Sequence, residues 1–212
     1  MRILDLTHSI QSGMPVYPGT PAVKVEPLAA METEGFRENF LSLTSHTGTH
    51  VDAPAHMLAQ GKKLDEYAPG EFVGSARCLK VDGDGVTADW LEEQLFVMPG
   101  CDFLLFYTGW DRYWGDEQYY RGYPVIDAAA ASRLARHGLK GIGLDTPSPD
   151  PLDSKDYPAH HALMGAGLLI LENLKGLHRL PEKEFRLIAL PLNVQESDGA
   201  PARVIALTGD GL

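Results

Sequence analysis

Between His46 and His56 the chain reads HTGTHVDAPAH, and no other stretch limits the fold as much. A helix is disfavoured there, because Gly48, the β-branched Thr47, Thr49 and Val51, and then Pro54 all work against it. Extended or turning backbone fits better. Side chains of an extended chain alternate with period two. The spacing therefore predicts His50, Asp52 and His56 on one side, with the small Ala53 and Ala55 opposite. Gly48 then lets the backbone bend so that His46 reaches the same point.

The donor types matter as much as their spacing. Three of the chain's eight histidines fall within these eleven residues beside an aspartate, a density that ordinary polar loop residues do not explain. Neutral imidazole nitrogens with one carboxylate suit zinc, and also manganese or iron. One or two Zn2+ ions are the expected cofactor, with Mn2+ as the alternative. Structural zinc sites are usually closed, four-coordinate and rich in cysteine. This cluster is built from His and carboxylate and holds a fifth polar residue in reserve, which points to catalysis over a non-catalytic staple.

Composition sets the outer bounds. With 212 residues, 44% of them hydrophobic, and no linker-like run, the chain is expected to form one domain over 1–212. A net charge of −11 argues against nucleic acid or an anionic membrane surface, since both require a basic patch. The start, MRILDLTHSI, has no long apolar core, and no apolar run approaches the roughly 20 residues of a membrane span. A cytoplasmic protein with a small-molecule substrate is the expectation. Cys78 and Cys101 are then buried thiols in preference to a disulfide.

In chain order, Ile3 to Thr7 reads as a first strand, and a Gly/Pro loop from residue 13 to 21 carries Tyr17 between Pro15 and Pro18. Val23 to Val25 alternates weakly. Phe40 to Thr44 alternates more clearly and delivers the chain into the His46 motif. Strands are predicted at Ala76 to Val81 and Phe103 to Tyr107, with a helix from about Ala88 to Leu95 capped by Thr87. The segment from Thr108 to Tyr123 concentrates Trp110, Tyr113, Trp114, Tyr119, Tyr120 and Tyr123. Such density suits a lid, a subunit interface or local packing. Asp127 caps a helix to about His137, and Gly138 stops it. Gly141 to Leu144 is a strand leading into Asp145 and Ser148, which serve either the site or the turn itself. This strand, helix, strand series predicts an α/β fold.

Pro158 opens a short helix that Gly165-Ala166-Gly167 ends, and Leu168 to Leu171 carries Glu172 at its end. The glycines lack the G-x-G-x-x-G pattern of a nucleotide loop. Glu172 is a carboxylate emerging from a buried strand and needs a partner, for which a metal cation would serve. Two more strands, Phe185 to Leu192 and Ala202 to Leu207, close the chain. His8, His137 and His178 have no partners nearby in sequence and read as ordinary.

These stretches resemble the cyclase family of metal-dependent hydrolases, which includes bacterial kynurenine formamidases and isatin hydrolases. The likeness begins at Asp5 to His8 and Met14 to Gly19 and runs through the His46 motif. It continues in GLDTPSPDP (Gly143 to Pro151), AHHALMGAGLLILENL (Ala159 to Leu174) and LPLNVQESDGAPAR (Leu190 to Arg203). The resemblance implies a mixed sheet or barrel-like β core with flanking helices, of the swivelling β/β/α kind, in a homodimer or higher homo-oligomer. It implies His46, His50, Asp52, His160 and Glu172 as metal ligands, with Asp52 and Glu172 shared between two ions, and His161 in a supporting part. His56 is implied as the proton donor and acceptor, and Tyr17 as a substrate-lining ring where kynurenine formamidases usually carry Trp. The expected chemistry is cleavage of a C–N bond in a formamide or ring amide: a cation activates water and polarises the carbonyl while His56 moves the proton. A cyclase or dehydratase using the same groups is the alternative.

Overall fold

The computed structural model describes residues 1–97 and 100–209. Its strands, in chain order, are β1 (Arg2–Asp5), β2 (Lys24–Ala29), β3 (Glu38–Ser42), β4 (His50–Asp52), β5 (Val73–Lys80), β6 (Gly85–Val86), β7 (Phe103–Tyr107), β8 (Val125–Ile126), β9 (Gly141–Leu144), β10 (Leu169–Glu172), β11 (Phe185–Pro191) and β12 (Gly199–Thr208). Its helices are α1 (Met31–Glu34), α2 (Ala88–Val97), α3 (Ala128–Leu134) and α4 (Pro158–Gly165).

The four central strands β5, β7, β9 and β10 are parallel neighbours, as chain segments joined through helices must be. The β7 sequence FLLFY is an unbroken apolar run, the pattern of a parallel strand covered on both faces. Antiparallel strands β11, β12 and β4 complete the circuit in the order β12-β11-β5-β7-β9-β10-β4. β4 then pairs back onto β12, closing seven strands into a mixed barrel. β1 lies beside the far end of the same β12 edge. The α/β architecture with a barrel-like core and flanking helices is therefore what the chain forms.

Alternation along each strand sends one set of side chains inward and the other outward. Inside the barrel, Ala76, Phe103, Leu105, Leu171, Leu187 and Val204 form one buried cluster. Outside, Leu104, Phe106, Ile142 and Ile170 are covered by Leu91 of α2, Ala131 and Leu134 of α3 and Leu163 of α4. Each large side chain so buried stabilises the fold by about 1.5–3 kcal/mol. At the start of α3, the Asp127 carboxylate accepts a 2.6 Å hydrogen bond from the Ala130 amide. The α-helix ends at Leu134, earlier than the expected His137, although Gly138 does turn the chain with φ +75°. Among the described residues no helix is long and apolar enough to cross a membrane.

Two local expectations are corrected. The strand that reads from Phe40 to Thr44 ends at Ser42 and pairs only with β2 in a separate hairpin whose β3 residues are all exposed. Its alternation reflects that pairing and not a core edge, so the candidate ligands His50 and Asp52 are held by β4 instead. His56 does not continue the β4 alternation either. Pro54 fixes its backbone for a 3-10 turn, Pro54–His56, which redirects the chain after Asp52.

That turn is packed from beneath by Gly61, where a Cβ would stand 2.3 Å from the Pro54 carbonyl carbon and 2.5 Å from the Ala55 nitrogen. Both obstacles are backbone and cannot rotate away. Gly61→Ala is expected to destabilise the protein by about 1–3 kcal/mol, the usual range for overpacking, as read by urea unfolding. An unchanged midpoint would show that the turn yields freely.

Candidate metal centre

Cross-strand register creates the site. β4 pairs with β10 so that His50 stands opposite Glu172 and Asp52 opposite Ile170. Side chains two apart share a face, and Val51 and Leu171 point into the barrel core. His50, Asp52 and Glu172 therefore project together from the outer face. Helix α4 packs on that face and brings His160 to it, with His160 Nε2 3.5 Å from Glu172 Oε1. His50 Nε2 lies 3.0 Å from Asp52 Oδ1 and 3.4 Å from Glu172 Oε2.

Each imidazole is oriented by its other nitrogen. His50 Nδ1 donates to the Gly48 carbonyl at 2.8 Å, made possible by the left-handed turn at Gly48, φ +61°. His160 Nδ1 donates to Asp150 Oδ2 at 2.7 Å, while the two Asp150 oxygens also accept from the Ala159 and His160 amides at the start of α4. Both Nε2 atoms are thereby left facing the carboxylates, the arrangement typical of metal-bound histidine. His46 reaches the group as expected, its Nδ1 2.6 Å from Asp52 Oδ1. Gly199, opposite Asp52 on β12, leaves room for it: a Cβ there would stand 2.8 Å from His46 Cε1.

Whether these residues suit a cation can be tested on their unsatisfied atoms. Among the described residues, His50 Nε2, Asp52 Oδ2 and Glu172 Oε1 are buried without a hydrogen-bond partner, a costly arrangement in a protein interior. All three belong to this one cluster. Donor atoms of His46, His50 and Asp52 lie within 4.8 Å of one another, as do those of Asp52, His160 and Glu172. Asp52 is common to both sets, so the residues fit one divalent ion or two sharing a carboxylate.

Burial works against a charged imidazole, but Asp52 and Asp198 outweigh it at His46 and raise that group to about 10. At His160 burial is likewise outweighed, by Asp150 and Glu172, again reaching about 10. Burial would raise Asp52, yet His50 and His46 hold it well below the ordinary carboxylate range.

Sequence reasoning missed three contributors. Asp198 Oδ2 accepts from His46 Nε2 at 2.8 Å and from His56 Nδ1 at 3.2 Å, tying together two motif histidines from a turn 142 residues beyond His56. Asp150 was one more acid in a Pro-rich loop. Asn173, in left-handed backbone at φ +55°, donates from Nδ2 to the Gly48 carbonyl at 2.9 Å and so shares the acceptor used by His50. Nothing in the spacing flagged Asp198 or Asp150; Asn173 follows a predicted ligand directly, the one available signal.

A cavity of about 310 Å³ opens over the cluster, lined by Tyr17, His56, Met57, Trp114, Tyr120 and Tyr157 among others. Tyr17 thus stands in the cavity wall, edge-on to Tyr120 at 6.2 Å. Ser148 also lines it, whereas Asp145 is spent on the turn, accepting from Thr108 and Gly109. His137, His161 and His178 are exposed and outside the cavity wall. His8, expected to be ordinary, is buried and stacked on Trp114.

The family model "Putative cyclase" matches residues 4–151. A kynurenine formamidase of Salinibacter ruber is 34% identical over 209 residues, covering 97% of both chains. One from Bacillus cereus is 33% identical over 204 residues, covering 95% of each. Among solved structures, isatin hydrolase A from Labrenzia aggregata superposes with a TM-score of 0.86 at 28% identity, covering 97% of this chain and 93% of that one. The motif, the barrel built around it and these likenesses agree that the chain belongs to the cyclase family of metal-dependent hydrolases.

Proposed function

We propose that the protein hydrolyses the C–N bond of a small amide, a formamide or a ring amide, using His46, His50, Asp52, His160 and Glu172 to hold one or two divalent cations and His56 to carry the proton. The observation that carries this reading is the trio of buried metal-donor atoms, without hydrogen-bond partners among the described residues, that converge below an open cavity. Zinc is the proposed ion, with manganese as the alternative, because imidazole and carboxylate serve both. A bound cation supplies Lewis acidity, making water a better nucleophile near neutral pH and polarising the amide carbonyl.

The chain's own groups do the rest. His56 lines the cavity with its ring centroid 4.0 Å from that of His46 and 6.0 Å from that of His160. With Nδ1 hydrogen-bonded to Asp198, it keeps Nε2 for the reacting atoms. It removes a proton from the attacking water and returns it to the leaving nitrogen, which the tetrahedral adduct then expels as an amine. Tyr17 and its aromatic neighbours bind the organic part of the substrate and exclude water. Among the similar proteins are a kynurenine formamidase and an isatin hydrolase, which supports reading the substrate as a small amide. A cyclase or dehydratase reaction on the same groups is the second reading.

Around this chemistry we infer a chain that works as one domain over residues 1–212 and resides in the cytoplasm, where its free Cys78 and Cys101 stay reduced. It acts as a homodimer or higher homo-oligomer. Leu28, Phe36, Phe40 and Leu41 stand exposed on or beside the β2–β3 hairpin, and an isolated hairpin is marginal in water, so a second copy covering it accounts for both facts. Sedimentation at micromolar concentration is expected to show a dimer or larger, and a monomer would overturn the assignment.

Metal content provides the first test of the site. Purified protein should hold between one and two equivalents of a divalent metal, and Asp52→Ala, which removes the carboxylate common to both donor sets, should lower that content sharply. Full occupancy in Asp52→Ala would sink the ligand assignment. The raised His46 and His160 also fix the sign of the pH dependence. Protons held up to about pH 10 must leave as the ion enters, so affinity falls with acidification, about tenfold per pH unit for each proton displaced. Titration in dilute buffer should register released protons; an affinity constant from pH 6 to 9 would contradict the linkage.

His46, His56 and Asp198 also bring one donor each within 4.8 Å, so His56 has a rival assignment as a ligand. Its proton-carrying role predicts that His56→Ala keeps its metal and its melting temperature while kcat falls on the order of 10²-fold or more. Metal lost in step with activity would move His56 into the ligand set.

A further inference from the structure

The aromatic segment that follows β7 is built as a fixed wall. At its start, Asp145 accepts from the Thr108 and Gly109 amides at 3.0 and 2.8 Å. Trp110 Nε1 donates to the Tyr119 carbonyl at 2.8 Å, and the Tyr119 hydroxyl donates to Asn173 Oδ1 at 2.8 Å. Further on, the Tyr123 hydroxyl donates to the Asp150 carbonyl at 2.7 Å. The segment is therefore tied in part to Asn173 and Asp150, residues whose other groups bond to Gly48 and to His160, and it presents Trp114 and Tyr120 to the cavity.

Trp114 is held from behind by two rings. His8 stacks on it with centroids 3.9 Å apart and planes 14° from parallel, and Tyr119 meets it edge-on at 5.0 Å. The His8 amide donates to Thr49 Oγ1 at 2.9 Å, and Thr49 Oγ1 donates to the Asn173 carbonyl at 2.6 Å. His8 is thus fixed to the same backbone as the metal ligands. Among the described residues its Nε2 is buried without a hydrogen-bond partner, a cost that an apolar side chain would avoid. What the imidazole offers in return is a flat ring whose plane dictates the plane of the indole.

Resting on the amide-hydrolase reading above, we propose that Trp114 is the stacking platform that selects amides carrying a planar aromatic ring, and that His8 is the positioning residue that sets its plane. Tyr17 and Tyr120, perpendicular to one another at 83°, bound the same cavity, so a flat ring lying on Trp114 meets ring edges or faces around it. A small aliphatic amide reaches the metal cluster without using this wall.

Two measurements on the metal-loaded protein decide it. The first titrates 2-aminoacetophenone, a flat aryl ketone with no amide bond to cleave, and reads tryptophan emission. The wild type should be quenched, and Trp114→Leu should lose that response. Loss of a ring stack is worth about tenfold at most, so His8→Leu should weaken binding about tenfold and His8→Phe should stay within about twofold. The second compares N-formylaniline with N-methylformamide. His8→Leu should raise KM for the aryl substrate about tenfold with kcat little changed, and leave kcat/KM for the aliphatic one within about twofold. Unquenched wild-type protein, undiminished binding in His8→Leu, equal losses on both formamides, or a His8→Phe protein as impaired as His8→Leu would each overturn the proposal. If neither formamide is cleaved while the binding pattern holds, the amide reading fails and the platform assignment stands.

Discussion

The pairing of β4 with two strands at once is the constraint on which the rest depends. Three residues, His50 to Asp52, bond on one edge to β10 and on the other to β12, and without them the barrel is an open sheet. The same three residues carry two proposed ligands on their outer face and Val51 in the inner core. Closure and site are thus one event. A one-residue slip in register would send Val51 outward and bury His50 and Asp52 in an apolar interior, so core packing itself fixes which way the ligands point.

That arrangement concentrates charge where a protein can least tolerate it. Asp52 and Glu172 are both buried, beside His50 and His160. Nearby acids outweigh burial at His46 and His160 and raise both imidazoles, while His50 and His46 hold Asp52 low. The proposed divalent ion would do the same neutralisation without requiring protons, and it would engage His50 Nε2, Asp52 Oδ2 and Glu172 Oε1 directly. On the proposed assignment folding and metal binding would be linked, because whatever stabilises the native register also assembles the candidate donor set.

How much of this was legible in the sequence follows from the range of each interaction. Strands β7 and β9 appear where the apolar runs predicted them, and α2 where the Thr87 cap did, because those signals are local. The donor motif was legible for the same reason, with four polar groups inside eleven residues. Asp198 and Asp150 were not. Each matters because topology folds a distant turn or loop against a histidine, and neither has a neighbour in sequence that marks it. His8 was misjudged on the same ground: its partner, Trp114, lies in another segment and meets it only across the fold. The exposed β2–β3 hairpin misled in the opposite sense, since alternation there reports strand pairing without a core behind it.

The proposed division of labour among the histidines is consistent with their supports. His50 sits on a closed strand and is almost wholly buried, and His160 sits in a helix whose start is fastened by Asp150. Such positions hold a nitrogen still and keep out water, the conditions a ligand needs. His56 stands on a 3-10 turn with its side chain 31% exposed, and Pro54 is what bends the chain away from β4 to put it there. A group that passes protons must meet the substrate and exchange with solvent, and a fully buried strand position would deny both. Had the alternation of β4 continued to His56, as its spacing suggests, the motif would have supplied one more ligand and no proton carrier.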